Sequence, residues 1–149
     1  MISKILVPID GSKMSLKAAK YAVELAKQTG ASLRLLSVID KRFIVEQAVS
    51  ASASPTHLTE SVEDYLKQSA QSATAGIAKV CERNGIRYKA VIRTGHPVEE
   101  IANEATKSKV DLVIMGSHGK SALAAAVLGS VTYGVLHKET KIPVLIVRR

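Results

Sequence analysis

Short apolar runs alternate along the chain with stretches in which apolar residues return every three or four positions. "KILVPI" (Lys4 to Ile9) is a β-branched apolar run ended by Asp10-Gly11-Ser12, a turn and helix-start signal, so a strand entering a helix is predicted. Ala18, Ala19, Ala22, Leu25 and Ala26 recur at helical spacing from Ser15 to Thr29, and Gly30 stands where a left-handed helix end favours a residue without a β-carbon. "SLRLLSVID" (Ser32 to Asp40) reads as the second strand. Lys41 to Pro55 is small, polar and aperiodic, and is expected to be an exposed mobile loop that could cover a ligand.

Val62, Leu66, Ala70, Ala73, Ile77, Val80 and Cys81 lie on one face of a helix predicted from Thr59 to Asn84 and stopped by Gly85. "RYKAVI" (Arg87 to Ile92) is a strand, after which Pro97 falls in the first turn of a helix whose Glu99 and Glu100 sit beside its positive end. "DLVIM" (Asp111 to Met115) reads as a strand that is apolar after Asp111; Ser130 is expected to cap a helix reaching about Glu139, weakened by Gly134, and "IPVLIV" (Ile142 to Val147) closes the chain. The order β-α-β-α-β-α-β-α-β, with strands apolar on both faces, gives an α/β fold: a five-stranded parallel sheet covered by helices on both faces. The usual winding order, 3-2-1-4-5, puts the turn after strand one, at Asp10, beside the turn after strand four, at Gly116, where such sheets bind ligands.

The 149 residues fit one domain, and 46% hydrophobic with 23% charged residues describes a soluble globular chain. No apolar run has the length of a membrane span and the N-terminus lacks the sections of a signal peptide, which makes the cytoplasm the default compartment. The single cysteine, Cys81, is expected to be a packed thiol. A net charge of +8 favours anionic partners, but the basic residues are scattered and only 3% of residues are aromatic, so specific nucleic-acid binding is not expected.

The candidate chemistry lies in "MGSHGKSALAAAVLGS", Met115 to Ser130. Phosphate binding requires main-chain N–H groups turned into a concavity, approach without side-chain obstruction, and preferably a helix start. Gly116, Gly119 and Gly129-Ser130 offer these; a tight turn and an ordinary cap explain the same spacing equally well. A Walker A loop is excluded, because the position five before Gly119 is Ile114 rather than glycine, and G-x-G-x-x-G is absent.

Gly116, two residues, Gly119, nine residues and Gly129-Ser130 together resemble the glycine signature of the nucleotide-binding branch of the universal stress protein family. "ILVPIDGS", "LLSVID", "GHPVEEIANEA", "DLVIMGSHG" and "PVLIVR" resemble that family in the same order over nearly the whole chain, 1–149. The resemblance implies a Rossmann-like fold of the adenine nucleotide α-hydrolase type, binding of ATP, and a homodimer formed through the last strand. By position it implies that Asp10, beside Pro8 and Ile9, approaches the ribose and adenine side, that Val38 meets adenine through its backbone, and that Met115 lines the pocket. Gly116, Gly119, Gly129, Ser130 and Val131 would surround ribose and phosphates, with Mg²⁺ or Mn²⁺ held mainly through the phosphates.

The bland readings of these residues stand beside this one. Asp10 could simply cap the first helix. His118 is read as an exposed loop histidine, Lys120 as a solvated charge assisting phosphate, and His96 as a residue at a helix start; Ser121 and Tyr133 have no arguable role. Hydrolysis of ATP needs a water-orienting base, and none can be placed, so slow or absent turnover and a regulatory or sensing role are expected. A nucleotide-free dimeric interaction module is the alternative, opposed by the complete glycine signature. An ATP-consuming α-hydrolase should carry "SGGxDS" or "HIGH", and a receiver domain needs an acidic pair after strand one and an aspartate after strand three; the chain has none of these.

Overall fold

A computed structural model of the chain describes residues 1–44, 55–119, 128–138 and 140–148, with side chains omitted at 55–60. Its elements are β1 (Lys4–Pro8), α1 (Lys13–Thr29), β2 (Ser32–Asp40), α2 (Pro55–Arg83), β3 (Tyr88–Gly95), α3 (Pro97–Lys107), β4 (Leu112–Gly116), α4 (Ser130–Leu136) and β5 (Val144–Val147). The strands form one parallel sheet in the order β3-β2-β1-β4-β5.

Alternation along the strands separates two apolar layers. Ile5, Val7, Ile9, Leu33, Leu35 and Ile114 face α1 and α2, where they meet Ala18, Ala22, Ile77 and Cys81. Leu6, Leu36, Val91, Val113 and Met115 face the other way, toward Ile101, Ala105 and Val135 of α3 and α4. The alanine face of α1 lets that helix lie close on the sheet, and the Cys81 thiol is fully buried, its pKa raised by the apolar surroundings. Ser12 opens α1 by accepting from Ser15 N–H at 3.2 Å, and Gly30 closes it at φ +76°.

Several element boundaries differ from those the sequence predicts. Within the Asp10-Gly11-Ser12 start signal it is Ser12 that caps the first helix, so the alternative reading of Asp10 as the cap does not hold, and the helix opens at Lys13, two residues before Ser15. Residues 41–44 make a helical turn with Ile44 buried, and α2 already begins at Pro55, so only part of the predicted loop falls within the described residues. β3 runs on to Gly95 because Ser37–Asp40 of β2 supply pairing partners for Ile92–Gly95. The polar look of "RTG" comes from Arg93, which reaches across the sheet face to Glu104 on α3. Glu104 is buried and accepts from Arg34 Nε at 2.5 Å, Ser108 Oγ at 2.9 Å and Arg93 Nη2 at 3.4 Å. Burial pushes its pKa up, but these donors and the two guanidiniums outweigh that and hold it below the usual carboxylate range.

Candidate functional site

The winding reverses between β1 and β4, and the carboxyl ends of these neighbouring strands, with that of β2, frame the site. β1 leaves the sheet at Pro8. Its last main-chain bond to β2 runs from Ile9 N–H to Leu36 C=O at 2.7 Å, and the paired register ends at Pro8↔Leu36. β2 continues to Asp40, and the alternation of the ladder turns the N–H and C=O of Val38 toward the space that β1 has left. Thus Val38 presents one donor and one acceptor on an edge where the neighbouring strand has ended.

Past Ile9 the chain makes a tight turn. Asp10 Oδ1 accepts from Ser12 N–H at 2.8 Å, Asp10 N–H donates to Ser15 Oγ at 3.3 Å, and Gly11 adopts φ +80°. The exposed carboxylate of Asp10 is thereby aimed at the turn that follows β4. A β-carbon on Gly119 would overlap Asp10 Oδ2, so the absence of a side chain at 119 is what lets the two turns meet.

The turn after β4 is itself closely packed. Ser117 donates its N–H to Val147 C=O at 2.9 Å and accepts from Gly129 N–H at 2.7 Å, joining the end of β5 to the start of α4 through one buried residue. Gly129 lies against His118: a β-carbon there would come within 2.9 Å of His118 Cα. Gly116 packs on the main chain of Met14, and Thr132 Oγ1 donates to Gly116 C=O at 2.9 Å. Gly129 is the cap residue of α4, which makes Ser130 the first helical residue rather than the cap the sequence predicts. Ser130, Val131 and Thr132 therefore open the helix with main-chain N–H groups that have no intrahelical acceptor.

Beneath this rim lies an apolar floor. Met115 is buried, and Val38, Val98 and Val131 pack half-buried around the same layer. Ile9 differs from its neighbours: its side chain is buried on the α1 side, so only its main chain faces the rim. Val98 was not among the residues singled out in the sequence; the available signal was an apolar residue in the first turn of α3, one place beyond Pro97. His118, read as exposed, is half-buried with Nδ1 3.1 Å from Ser117 Oγ, while Lys120 and Ser121 lie outside the described residues. His96 caps α3 without a side-chain hydrogen bond.

The fold and the glycine geometry agree with the comparison to known proteins. The model of the universal stress protein family matches residues 1–148. The chain belongs to this family. Universal stress protein MJ0531 of Methanocaldococcus jannaschii is 34% identical over 149 residues, which span 100% of this chain and 84% of that relative. Universal stress protein YxiE of Bacillus subtilis is 34% identical over 149 residues, 99% of this chain and 100% of its own. The solved structure of MJ0577, a universal stress protein of M. jannaschii, superposes with a TM-score of 0.85 at 36% identity, covering 100% of this chain and 97% of that one.

Proposed function

We propose that this universal stress protein binds ATP at the carboxyl ends of β1, β2 and β4 and acts as a nucleotide-dependent regulator or sensor in a stress response, with slow or no hydrolysis. The observation that carries this reading is the meeting of the Asp10 and Gly119 turns above the Val38, Met115 and Val131 floor. An apolar floor beside the donor and acceptor that Val38 turns past the end of β1 suits a purine, and a glycine turn beside N–H groups without an intrahelical acceptor suits phosphate.

Two solved proteins of the same fold support adenine nucleotides as the ligand class. One is a universal stress protein in complex with cAMP (TM-score 0.71, 24% identity), the other an Arabidopsis thaliana family member with AMP bound (TM-score 0.68, 19% identity). In this chain Val38 would read the base through its backbone, and Asp10, with the main chain of Pro8 and Ile9, would face the ribose and adenine side. Gly116, Gly119, Gly129, Ser130 and Val131 would surround ribose and phosphates. Among the described residues no group of three or more His, Cys, Asp or Glu is placed to hold a metal, so Mg²⁺ or Mn²⁺ would be carried mainly by the phosphates. With Asp10 given to the ribose side, the reading assigns none of the described residues as a base to activate water for in-line attack on the γ-phosphate.

The regulatory output is assigned to a homodimer formed along β5. "VLIV" is an uncharged edge, and the bonds from Val113 N–H to Pro143 C=O and from Ser117 N–H to Val147 C=O turn the N–H groups of Val144 and Ile146 outward. The Ile146→Pro variant removes one outward donor while sparing the ladder to β4; sedimentation should show a native dimer and a variant monomer, and an unchanged dimer would move the interface elsewhere. No helix among the described residues is long and apolar enough to cross a membrane, and we place the protein in the cytoplasm.

Calorimetric titration with ATP and Mg²⁺, with phosphate release followed in the same samples, tests the nucleotide reading. Saturable binding with little release is expected. An absence of binding would leave the nucleotide-free interaction module, and sustained release would require a base that the reading lacks.

A further inference from the structure

The two outer strands of the sheet differ in chemistry. β5 is four residues long and uncharged, whereas β3 is eight residues long and carries Lys89 and Arg93. Among the described residues β3 pairs with β2 alone. The bond from Leu33 N–H to Arg87 C=O at 2.9 Å fixes the alternation: Lys89, Val91 and Arg93 turn their main-chain groups toward β2, and Tyr88, Ala90, Ile92 and Thr94 turn theirs outward. β3 is therefore an extended ladder edge beside which another strand could pair.

Charge decides what kind of strand. Lys89 and Arg93 project on the α3 face of the sheet, separated by about 13 Å along the strand. Arg34 pairs in register with Lys89. Glu104 is shared between Arg34 and Arg93, so three cations stand against one buried carboxylate. Lys89 is exposed and the Arg93 side chain is 42% exposed, which leaves both able to meet a partner. Among the described residues the other carboxylates near β3 are at its ends: Asp40, in register with Gly95, is paired with Arg42 at 3.0 Å, Glu100 covers Gly95, and Glu82 accepts from the Tyr88 hydroxyl at 2.6 Å on the opposite face.

A second copy of β3 is a poor partner, because pairing it with itself would bring Lys89 and Arg93 against their own kind. We propose that the β3 edge docks an extended acidic segment of a partner protein. The segment adds a strand through the outward main-chain groups of Tyr88, Ala90, Ile92 and Thr94, and places two carboxylates four residues apart against Lys89 and Arg93. The proposal is independent of nucleotide binding. The rival explanation is that the charges only guard the edge against aggregation.

The probe is an end-blocked, fluorescein-labelled peptide of alternating threonine and valine with two glutamates four residues apart, followed by anisotropy with the full chain. Its controls are the same peptide with lysines for the glutamates, and one with alternate main-chain amides N-methylated on the pairing edge. The native protein should bind the glutamate peptide, and the lysine and N-methylated peptides should bind at least about tenfold more weakly. Lys89→Glu should weaken the glutamate peptide by a similar factor and improve the lysine peptide. Ala90→Pro, which removes one outward N–H and leaves the β2 ladder intact, should abolish binding with the melting curve retained. No binding of the glutamate peptide up to about 1 mM would overturn the proposal, as would equal binding of the N-methylated peptide, which would reveal only diffuse charge attraction.

Discussion

Replacing Gly119 by alanine places a methyl group on Asp10 Oδ2. The carboxylate has little freedom to withdraw, because Oδ1 is held by Ser12 N–H at 2.8 Å and releasing that bond costs about 1 kcal/mol. Retreat of the turn is also opposed, since Gly129 stands on its other side against His118 and the Gly119 main chain. Withdrawal of the carboxylate therefore limits the cost to about 1 kcal/mol. If the turn stays in place, the cost lowers the melting temperature by about 2–4 °C; if it relaxes, the same cost appears in ATP affinity as about fivefold. Calorimetry and thermal melts on one preparation measure both. Gly30→Ala is the control: it too is strained, at φ +76°, but has nothing within 4 Å and lies at the far end of the sheet. It should lose about 1 kcal/mol of stability with ATP affinity unchanged. Asp10→Ala should remove the melting penalty of Gly119→Ala, showing that the two positions are coupled. A Gly119→Ala protein with native melting temperature and ATP affinity within about twofold of native would refute the packing argument.

Gly134→Ala should destabilise the protein despite better helix propensity, because the new β-carbon would lie 2.6 Å from Val98 Cγ2; Val98→Ala should reverse the loss in thermal melts. Glu104→Gln leaves Arg34 and Arg93 without a counter-charge and should lower the urea midpoint by about 1 M, equivalent to about 2 kcal/mol. The native carboxyl is held below its ordinary value of 4.5, so the unfolded state binds more protons as the pH falls past that value. Its stabilisation is therefore complete above about pH 4.5 and lost as the pH drops through the folded value; urea melts should show this slope in the native protein and a smaller one in Glu104→Gln.

Much of the fold was legible because buried parallel strands and amphipathic helices write different periods into the sequence. "KILVPI", "SLRLLSVID" and "DLVIM" needed no tertiary information, and the spacing of Ala18, Ala19, Ala22, Leu25 and Ala26 marked α1 as a helix. The sequence alone ends β3 at Ile92 because Arg93 and Thr94 look like loop residues, and only the position of Glu104 on α3 explains an arginine there. "IPVLIV" overstates β5, which begins only at Val144, because Pro143 contributes a carbonyl to Val113 while lacking an N–H to continue the ladder. The glycine spacing located the candidate site, but its geometry depends on contacts distant in sequence. Neither Asp10 over Gly119 nor Val98 against Gly134 leaves a local pattern, and Val38 is marked only by the early departure of β1. The helix cap also shifted by one, since serine and glycine both suit that position and the packing of Gly129 on His118 decided between them.

The central claim is that an adenine nucleotide is read where β1, β2 and β4 end. Following main-chain amide resonances of the ¹⁵N-labelled protein during titration with ATP and Mg²⁺ tests it most directly. The largest shifts should fall on Val38, Asp10, Gly116, Gly119, Gly129, Ser130 and Val131, with the opposite end of the sheet around Gly30, Gly85 and Arg87 unmoved. Saturating shifts centred on that opposite end, or none at either end, would contradict the account.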